Sequence, residues 1–166
     1  MATTEFYRCN GAAERADALV CLSKTNYLLI FGFGTDEDGN NYTWRKYYDY
    51  KPTVREIKQD ISDLINADTS RKILTGMTWK GIPLWLSQEN QRNISDAVRA
   101  ATLPVRLKLG EDDDGNPIYY TFEDSNELTE LYKAVWEHIR SSLDYGWREK
   151  DAVDYDGMIE MATITS

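Results

Sequence analysis

Two similar acidic segments, Gly34-Thr-Asp-Glu-Asp-Gly-Asn40 and Gly110-Glu-Asp-Asp-Asp-Gly-Asn116, decide the fold of this 166-residue chain. Gly and Asn tolerate positive φ, and an Asp-Gly pair favours a tight reversal between two strands. The segments lie 76 positions apart, and each is followed by a strand pattern and then by a helix pattern with capping residues. We therefore predict a hairpin-helix unit that occurs twice in the chain.

Strand patterns lie on both sides of these turns. Before the first turn the predicted strands are Glu5–Cys9, Ala18–Ser23 and Asn26–Phe33, and Tyr42–Tyr50 follows it. Around the second turn, Val105–Leu109 alternates apolar and polar residues, and Ile118–Phe122 returns. Lys80-Gly81 predicts the turn of a third hairpin, with strands within residues 71–79 and 82–87.

Three amphipathic helices are predicted between and after the hairpins. Thr53 and Glu56 form a capping box, so the first helix begins at Val54 and runs to Asn66. Its apolar stripe is Val54, Ile57, Ile61, Leu64 and Ile65. Ser87 predicts the start of a second helix over 88–101, and Asp124 with Glu127 that of a third from Ser125 to about Asp144. The core stripe of the third helix is Leu128, Leu131, Tyr132, Val135, Ile139 and Leu143.

These patterns together predict an α+β fold, in which three β-hairpins form antiparallel sheet and the amphipathic helices pack on it. Residues 154–166 show little periodicity and are predicted to be a loosely held tail.

The charge balance argues against several classes of partner. The chain has 28 acidic and 19 basic residues, and its formal net charge is −9. A field of this sign repels phosphate backbones and anionic membranes, so we predict no nucleic-acid and no membrane partner. No apolar run approaches the roughly 20 residues of a membrane helix, and Met1–Asn10 lacks the pattern of a secretory signal. We expect a protein that folds in a cytoplasm.

The sequence offers few residues for metal or catalytic chemistry. Cys9, Cys21 and the single histidine, His138, cannot supply the four ligands of a structural zinc site. The acidic turns fail the EF-hand spacing, because a glycine would occupy the first ligand position and Arg45 or Thr121 the twelfth. Nucleophile elbows and phosphate-binding loops are absent from the sequence. We predict no cofactor and no enzymatic activity, with a carboxylate-pair hydrolase as the open alternative, since such a pair has no local signature.

Aromatic residues are the feature that points to a partner. The chain has 11 Tyr, 5 Trp and 4 Phe, and these residue types are enriched at interfaces. Alternation places Tyr42, Trp44, Tyr48 and Tyr50 on one strand face, and Pro83 favours an edge position for the strand that carries Trp85. We predict that these five residues form an interface. The alternative is that they line hairpin faces packed under helices.

Residues 73–122 resemble a known family of phage domains. The motifs are Ile73-Leu-Thr-Gly-Met-Thr-Trp-Lys-Gly-Ile-Pro-Leu-Trp-Leu-Ser-Gln-Glu-Asn-Gln91, the strand after Leu103-Pro104, and the turn Asp114-Gly-Asn-Pro117. They resemble a domain of unknown function found in bacteriophage and prophage proteins, often those of Bacteroides-type gut bacteria. The resemblance covers about Tyr50 to Asp154. It implies a variable β-rich segment at 1–50, the phage-type domain at 51–154 and a tail at 155–166.

The same resemblance carries an expectation about function but no catalytic residues. Such domains are encoded in or beside tail-fibre, tail and other virion genes. The resemblance therefore implies a virion structural or assembly protein, located in the host cytoplasm during assembly and then in the virion. Its partners would be other virion proteins and further copies of itself. The alternative implied function is a carbohydrate- or receptor-binding tail module.

Overall fold

The computed structural model describes residues 5–159 and has the predicted α+β class, with antiparallel β-hairpins and helices packed against them. The strands are β1 (Tyr7–Asn10), β2 (Ala18–Cys21), β3 (Tyr27–Thr35), β4 (Asn41–Tyr48), β5 (Thr78–Trp79), β6 (Ile82–Pro83), β7 (Val105–Glu111) and β8 (Pro117–Phe122). The helices are α1 (Val54–Thr75), α2 (Gln88–Ala100) and α3 (Ser125–Asp151), and residues 155–159 are also helical.

The chain divides into two compact units, each with its own apolar core. Of the described residues, the first unit contains 5–65 together with 149–159, and the second is Asn66–Arg148. Both α1 and α3 supply residues to both units. This division follows the packing of the chain, whereas the division at 50 and 154 rests on the resemblance and stays a prediction.

The first unit is built on a four-stranded antiparallel sheet with the order β1-β4-β3-β2. The first half of α1 shares its core with this sheet, through Ile57, Ile61 and Ile65. The predicted capping box starts the helix: Thr53 N donates to Glu56 Oε2 at 2.9 Å, and Glu56 N donates to Thr53 Oγ1 at 3.1 Å. The prediction of this helix start is confirmed because both orphan donors find side-chain acceptors.

The second unit packs α2 and α3 with the hairpins β5–β6 and β7–β8. Ser87 caps α2, since its hydroxyl accepts a hydrogen bond from Asn90 N at 3.1 Å. The core of the unit contains Leu84, Leu86, Ile94, Ala97, Leu109, Phe122, Leu128, Leu131 and Val135. As in the first unit, one hairpin and the helix that follows it share a core.

The hairpins β3–β4 and β7–β8 repeat the same geometry. Phe31 pairs with Trp44 and Gly34 with Tyr42, and the register shifts between Phe31 and Gly34. At the positions 76 residues later, Leu107 pairs with Tyr120 and Gly110 with Ile118, and the register shifts between Lys108 and Gly110. The turns match in atomic detail. Asp36 Oδ1 accepts from the backbone N–H groups of Asp38 and Asn40 at 3.0 and 2.8 Å, and Asp112 Oδ1 accepts from those of Asp114 and Asn116 at the same two distances.

The antiparallel strands form three sheets. Within the described residues, β1 and β2 complete a sheet around β3–β4, and the other two hairpins each form a two-stranded sheet. The structure corrects two sequence expectations. Helix α1 continues to Thr75, so the strand predicted from residue 71 is wrong over 71–75. Asp68 stabilises this last part through side-chain ion pairs to Arg71 and Lys72 at 2.7 and 3.3 Å.

The second correction concerns the C-terminal region. Residues 155–159 are helical, and Val153 and Met158 are buried in the core of the first unit, whereas the sequence predicts a loosely held tail from 154. Apolar residues too few to show a helical period still anchor this segment. The rest of the predicted tail, 160–166, lies outside the described residues.

Candidate interaction surface

The predicted aromatic face of β4 is turned largely toward the core of the first unit. Tyr48 is 2% exposed and packs among the residues of that core. Its hydroxyl donates to Asp60 Oδ2 on α1 at 2.5 Å, and Lys46 Nζ forms an ion pair with the same oxygen at 2.9 Å. Burial and the Asp60 carboxylate raise the pKa of Tyr48 far above its ordinary value. The expectation that Tyr48 lies on an outward face is therefore wrong.

Trp44 and Tyr42 occupy the same face nearer the acidic turn. Trp44 is half-buried and packs against the core, and its ring meets that of Tyr42 edge to face at 5.7 Å. The Arg8 guanidinium lies over both rings, 4.6 Å from the Tyr42 centroid and 5.2 Å from that of Trp44. Because β1 places Arg8 opposite Trp44, the chain itself covers much of this aromatic pair.

The remaining two members of the predicted interface are exposed. Tyr50 follows β4 and meets Tyr48 edge to face at 5.9 Å. Trp85 belongs to the second unit, lies between the core residues Leu84 and Leu86, and is 47% exposed. The structure thus brings Tyr42 to Trp44 and Tyr48 to Tyr50, and leaves Trp85 in a different unit. Participation of the exposed residues in an interface stays a prediction.

Helix α3 carries an exposed aromatic face that the sequence prediction missed. Tyr132, Trp136, Leu143 and Trp147 recur at intervals of four, seven and four residues, so they lie along one side of the helix. Trp136 and Trp147 are each 55% exposed, Tyr132 is exposed and Leu143 is half-buried. We call these four residues the α3 aromatic face. The sequence predicts Tyr132 and Leu143 as core residues, whereas Tyr132 is exposed and Leu143 is only half-buried. Their helical spacing to Trp136 and Trp147 is the sequence signal of a second apolar stripe beside the core stripe.

A charged row runs beside the α3 aromatic face. It consists of Lys133, Glu137, Arg140 and Asp144, which alternate in sign along the helix. Glu137 and Arg140 form an exposed ion pair of 2.6 Å, and the Arg140 guanidinium lies 5.6 Å from the centre of the Trp136 ring. We call these four residues the α3 charged row. On the other side of the aromatic face is the core stripe with Leu128, Leu131 and Val135.

The acidic turns use their carboxylates to hold the backbone. In each turn the first aspartate accepts two backbone N–H groups, and these hydrogen bonds lower the pKa of Asp36 and of Asp112 below its ordinary value. Among residues 5–159, no three His, Cys, Asp or Glu side chains are grouped so that they could hold a metal ion.

The histidine and the cysteines have structural surroundings. His138 Nε2 lies 2.9 Å from the carbonyl oxygen of Lys72 and 3.3 Å from that of Ile73, so it donates to the last turn of α1. Cys9 and Cys21 are half-buried free thiols.

The two capping residues predicted for α3 have different partners. Asp124 Oδ1 accepts from the backbone N–H of Asn126 at 2.9 Å, as expected of a residue that caps this helix start. The Glu127 carboxylate pairs instead with Lys80, on the β5–β6 turn, at 2.6 Å. Glu127 therefore joins the third hairpin to the start of α3 within the second unit.

Comparison with protein families, with characterised proteins and with solved structures gives no significant match to this chain. Within the described residues, no helix is both long enough and apolar enough to cross a membrane.

Proposed function

We propose that this protein is a bacteriophage virion structural or assembly protein that acts through protein–protein contacts. The observation that carries the contact part is the exposure of three of the five tryptophans, Trp85, Trp136 and Trp147, each at about half of its surface. Tryptophan is enriched in interface cores and among residues that dominate binding energy, and exposed apolar patches on soluble proteins commonly mark such sites.

The phage part of the proposal rests on the resemblance of residues 73–122 to the phage and prophage domain. The acidic net charge of −9 supports a protein partner over a nucleic acid, because the chain's field opposes a phosphate backbone. The carboxylates of the two acidic turns hold backbone N–H groups, so they support a structural role for these turns.

The test of the proposal is mass spectrometry of purified virions from a phage or induced prophage that encodes the chain. We expect the chain at a stoichiometric level in virions or in assembly intermediates isolated from the host. A chain detected only in the soluble host lysate, in no particle or intermediate, would contradict the proposal.

The second candidate is a carbohydrate- or receptor-binding tail module. Half-exposed tryptophan rings favour it as well, because sugars stack on such rings. A glycan array separates the two functions. Saturable glycan binding that is lost when Trp136 or Trp147 is replaced by serine would support the receptor-binding function over assembly alone.

A further inference from the structure

We infer that the α3 aromatic face binds the same face of a second copy of this chain, with the two α3 helices antiparallel. This inference deepens the proposed function, since it names one partner of an assembly protein. The face runs from Tyr132 to Trp147, about 22 Å along the helix at 1.5 Å per residue. It lies wholly within the second unit.

The charged row is the reason for choosing a second copy. The chain as a whole carries a net charge of −9, so most of its surface repels another copy. The row Lys133, Glu137, Arg140 and Asp144 has equal numbers of both signs. Two copies can therefore meet along this strip without the like-charge repulsion that the rest of the surface imposes.

The order of the charges selects the antiparallel arrangement. Charges flank the aromatic face on one side only, because the other side is the core stripe. A two-fold axis perpendicular to the helices places that one flank against itself, as an isologous interface requires. With the helices reversed, Lys133 lies opposite Asp144 of the second copy, and Glu137 lies opposite Arg140 of the second copy. Each of these pairs occurs twice, so four unlike-charge contacts border the aromatic rings.

The apolar area sets the expected affinity. A half-exposed Trp or Tyr ring can bury roughly 100 Å². Three such rings on each copy, together with the charged rows, amount to roughly 1,000 Å² in total, which is near the lower limit of specific interfaces. We therefore expect a reversible dimer with a dissociation constant in the micromolar range, on the order of 1–100 µM.

A charge-exchange experiment tests both the partner and the register. Sedimentation equilibrium of the whole chain should show the dimer, and Glu137→Arg or Arg140→Glu alone should weaken it about tenfold or more, because like charges then meet twice. An equimolar mixture of the two variants should recover nearly the parent affinity as a heterodimer. In that heterodimer the two substituted positions face each other with unlike charges, and the unsubstituted Glu137 and Arg140 form the neighbouring unlike-charge pair on the same flank.

Matched controls come from other exposed sites of the second unit. Asp96 and Arg99 form an exposed ion pair on α2 with the same spacing, so Asp96→Arg and Arg99→Glu should leave the dimer unchanged. Trp136→Ser should weaken the dimer about tenfold or more, while Trp85→Ser should not. Circular dichroism of each variant is the check that it is folded.

Three results would overturn the inference: a parent chain that is monomeric up to about 1 mM, a dimer insensitive to Trp136→Ser, or a variant mixture without recovery. The proposed function fails separately. A monomeric chain found in virions contradicts only this inference, whereas a dimeric chain absent from virions and assembly intermediates contradicts only the proposed function.

Discussion

The Tyr48 hydroxyl joins β4 to α1 through Asp60, at a position where the ring is almost wholly buried. We expect Tyr48→Phe to lower the free energy of unfolding by about 1.5–3 kcal/mol, the range for a hydrogen bond to a charged group. Urea unfolding followed by circular dichroism measures the change. A loss below about 0.5 kcal/mol would show that Lys46 alone satisfies Asp60 in the folded chain.

The raised pKa of Tyr48 also predicts how stability depends on alkaline pH. In the unfolded chain this tyrosine loses its proton near pH 10, whereas in the folded chain it keeps the proton to a higher pH. The stabilisation of the folded chain by the protonated Tyr48 hydroxyl is complete below about pH 10 and is lost as the pH rises further. Tyr7, whose pKa burial raises to about 12, acts in the same direction. Between about pH 9 and pH 11, the free energy of unfolding should therefore decline less for Tyr48→Phe than for the parent chain.

The first aspartate of each acidic turn gives a prediction at acid pH. The backbone N–H of Asn40 lowers the pKa of Asp36, and that of Asn116 lowers the pKa of Asp112. Their stabilisation is present above the ordinary aspartate pKa, near 3.9, and is lost as the pH falls through the folded value. Carbon-13 NMR titration should give both carboxyl groups midpoints below that ordinary value. A midpoint at or above it in either turn would mean that the hydrogen bonds do not persist in solution.

At the scale of the elements, the stripe Ile57, Ile61 and Ile65 determines how α1 attaches to the first unit. Ile61 is fully buried, so Ile61→Ala should cost about 2–5 kcal/mol of unfolding free energy. The matched control is Val54→Ala at the exposed start of the same helix, with a cost of less than about 1 kcal/mol. Equal effects of the two variants in urea unfolding would contradict the observed packing of α1.

The end of α1 depends on a residue far away in the sequence. His138 donates to the carbonyl groups of Lys72 and Ile73, in the last turn of the helix. The Lys72 carbonyl also accepts the backbone N–H of Gly76 at 2.8 Å, so His138 adds a second donor at the end of α1. We expect His138→Ala to lower the unfolding free energy by about 1 kcal/mol, and His138→Gln, which keeps a donor, to lower it less. Hydrogen exchange should locate the loss in the last turn of α1. A uniform effect over the second unit would show that His138 acts through packing instead.

Local chemistry made many elements predictable from the sequence. The capping box at Thr53, the cap at Ser87 and the glycine turns depend on residues close in the chain, and the structure contains each of them. Alternation along β4 correctly separates its two faces, but it does not say which face the core will cover. Which face is covered depends on α1 and on Val153 and Met158, which are distant in the sequence. The alternation pattern therefore could not show that Tyr48 is buried. Likewise, the apolar residues of α3 cover a wider part of the helix than the core contacts, and helical spacing alone does not show which of them stay exposed.

At the scale of the whole molecule, each compact unit contains one copy of the same hairpin and the start of the helix that follows it. Strand pairs on both sides of the register shift and the hydrogen bonds of the turn occur at equivalent positions in the two copies, and each copy has a register shift before the turn, although their strand residues differ. What repeats is the backbone path, which the turn residues determine. The flanking apolar residues only need to fill two different cores.

This equivalence predicts equal responses to the same change in the two turns. Gly39 and Gly115 have φ values of 83° and 79°, and a Cβ atom added at either position would meet no other atom within 4 Å. Gly39→Ala and Gly115→Ala therefore test backbone strain without steric clash, and each should cost about 1–2 kcal/mol. Urea unfolding of the two single variants should give values within about 0.5 kcal/mol of each other, and the double variant should lose their sum, because the sites share no partners. A cost confined to one turn would show that the two hairpins, despite their matching geometry, do not contribute equally to the stability of the chain.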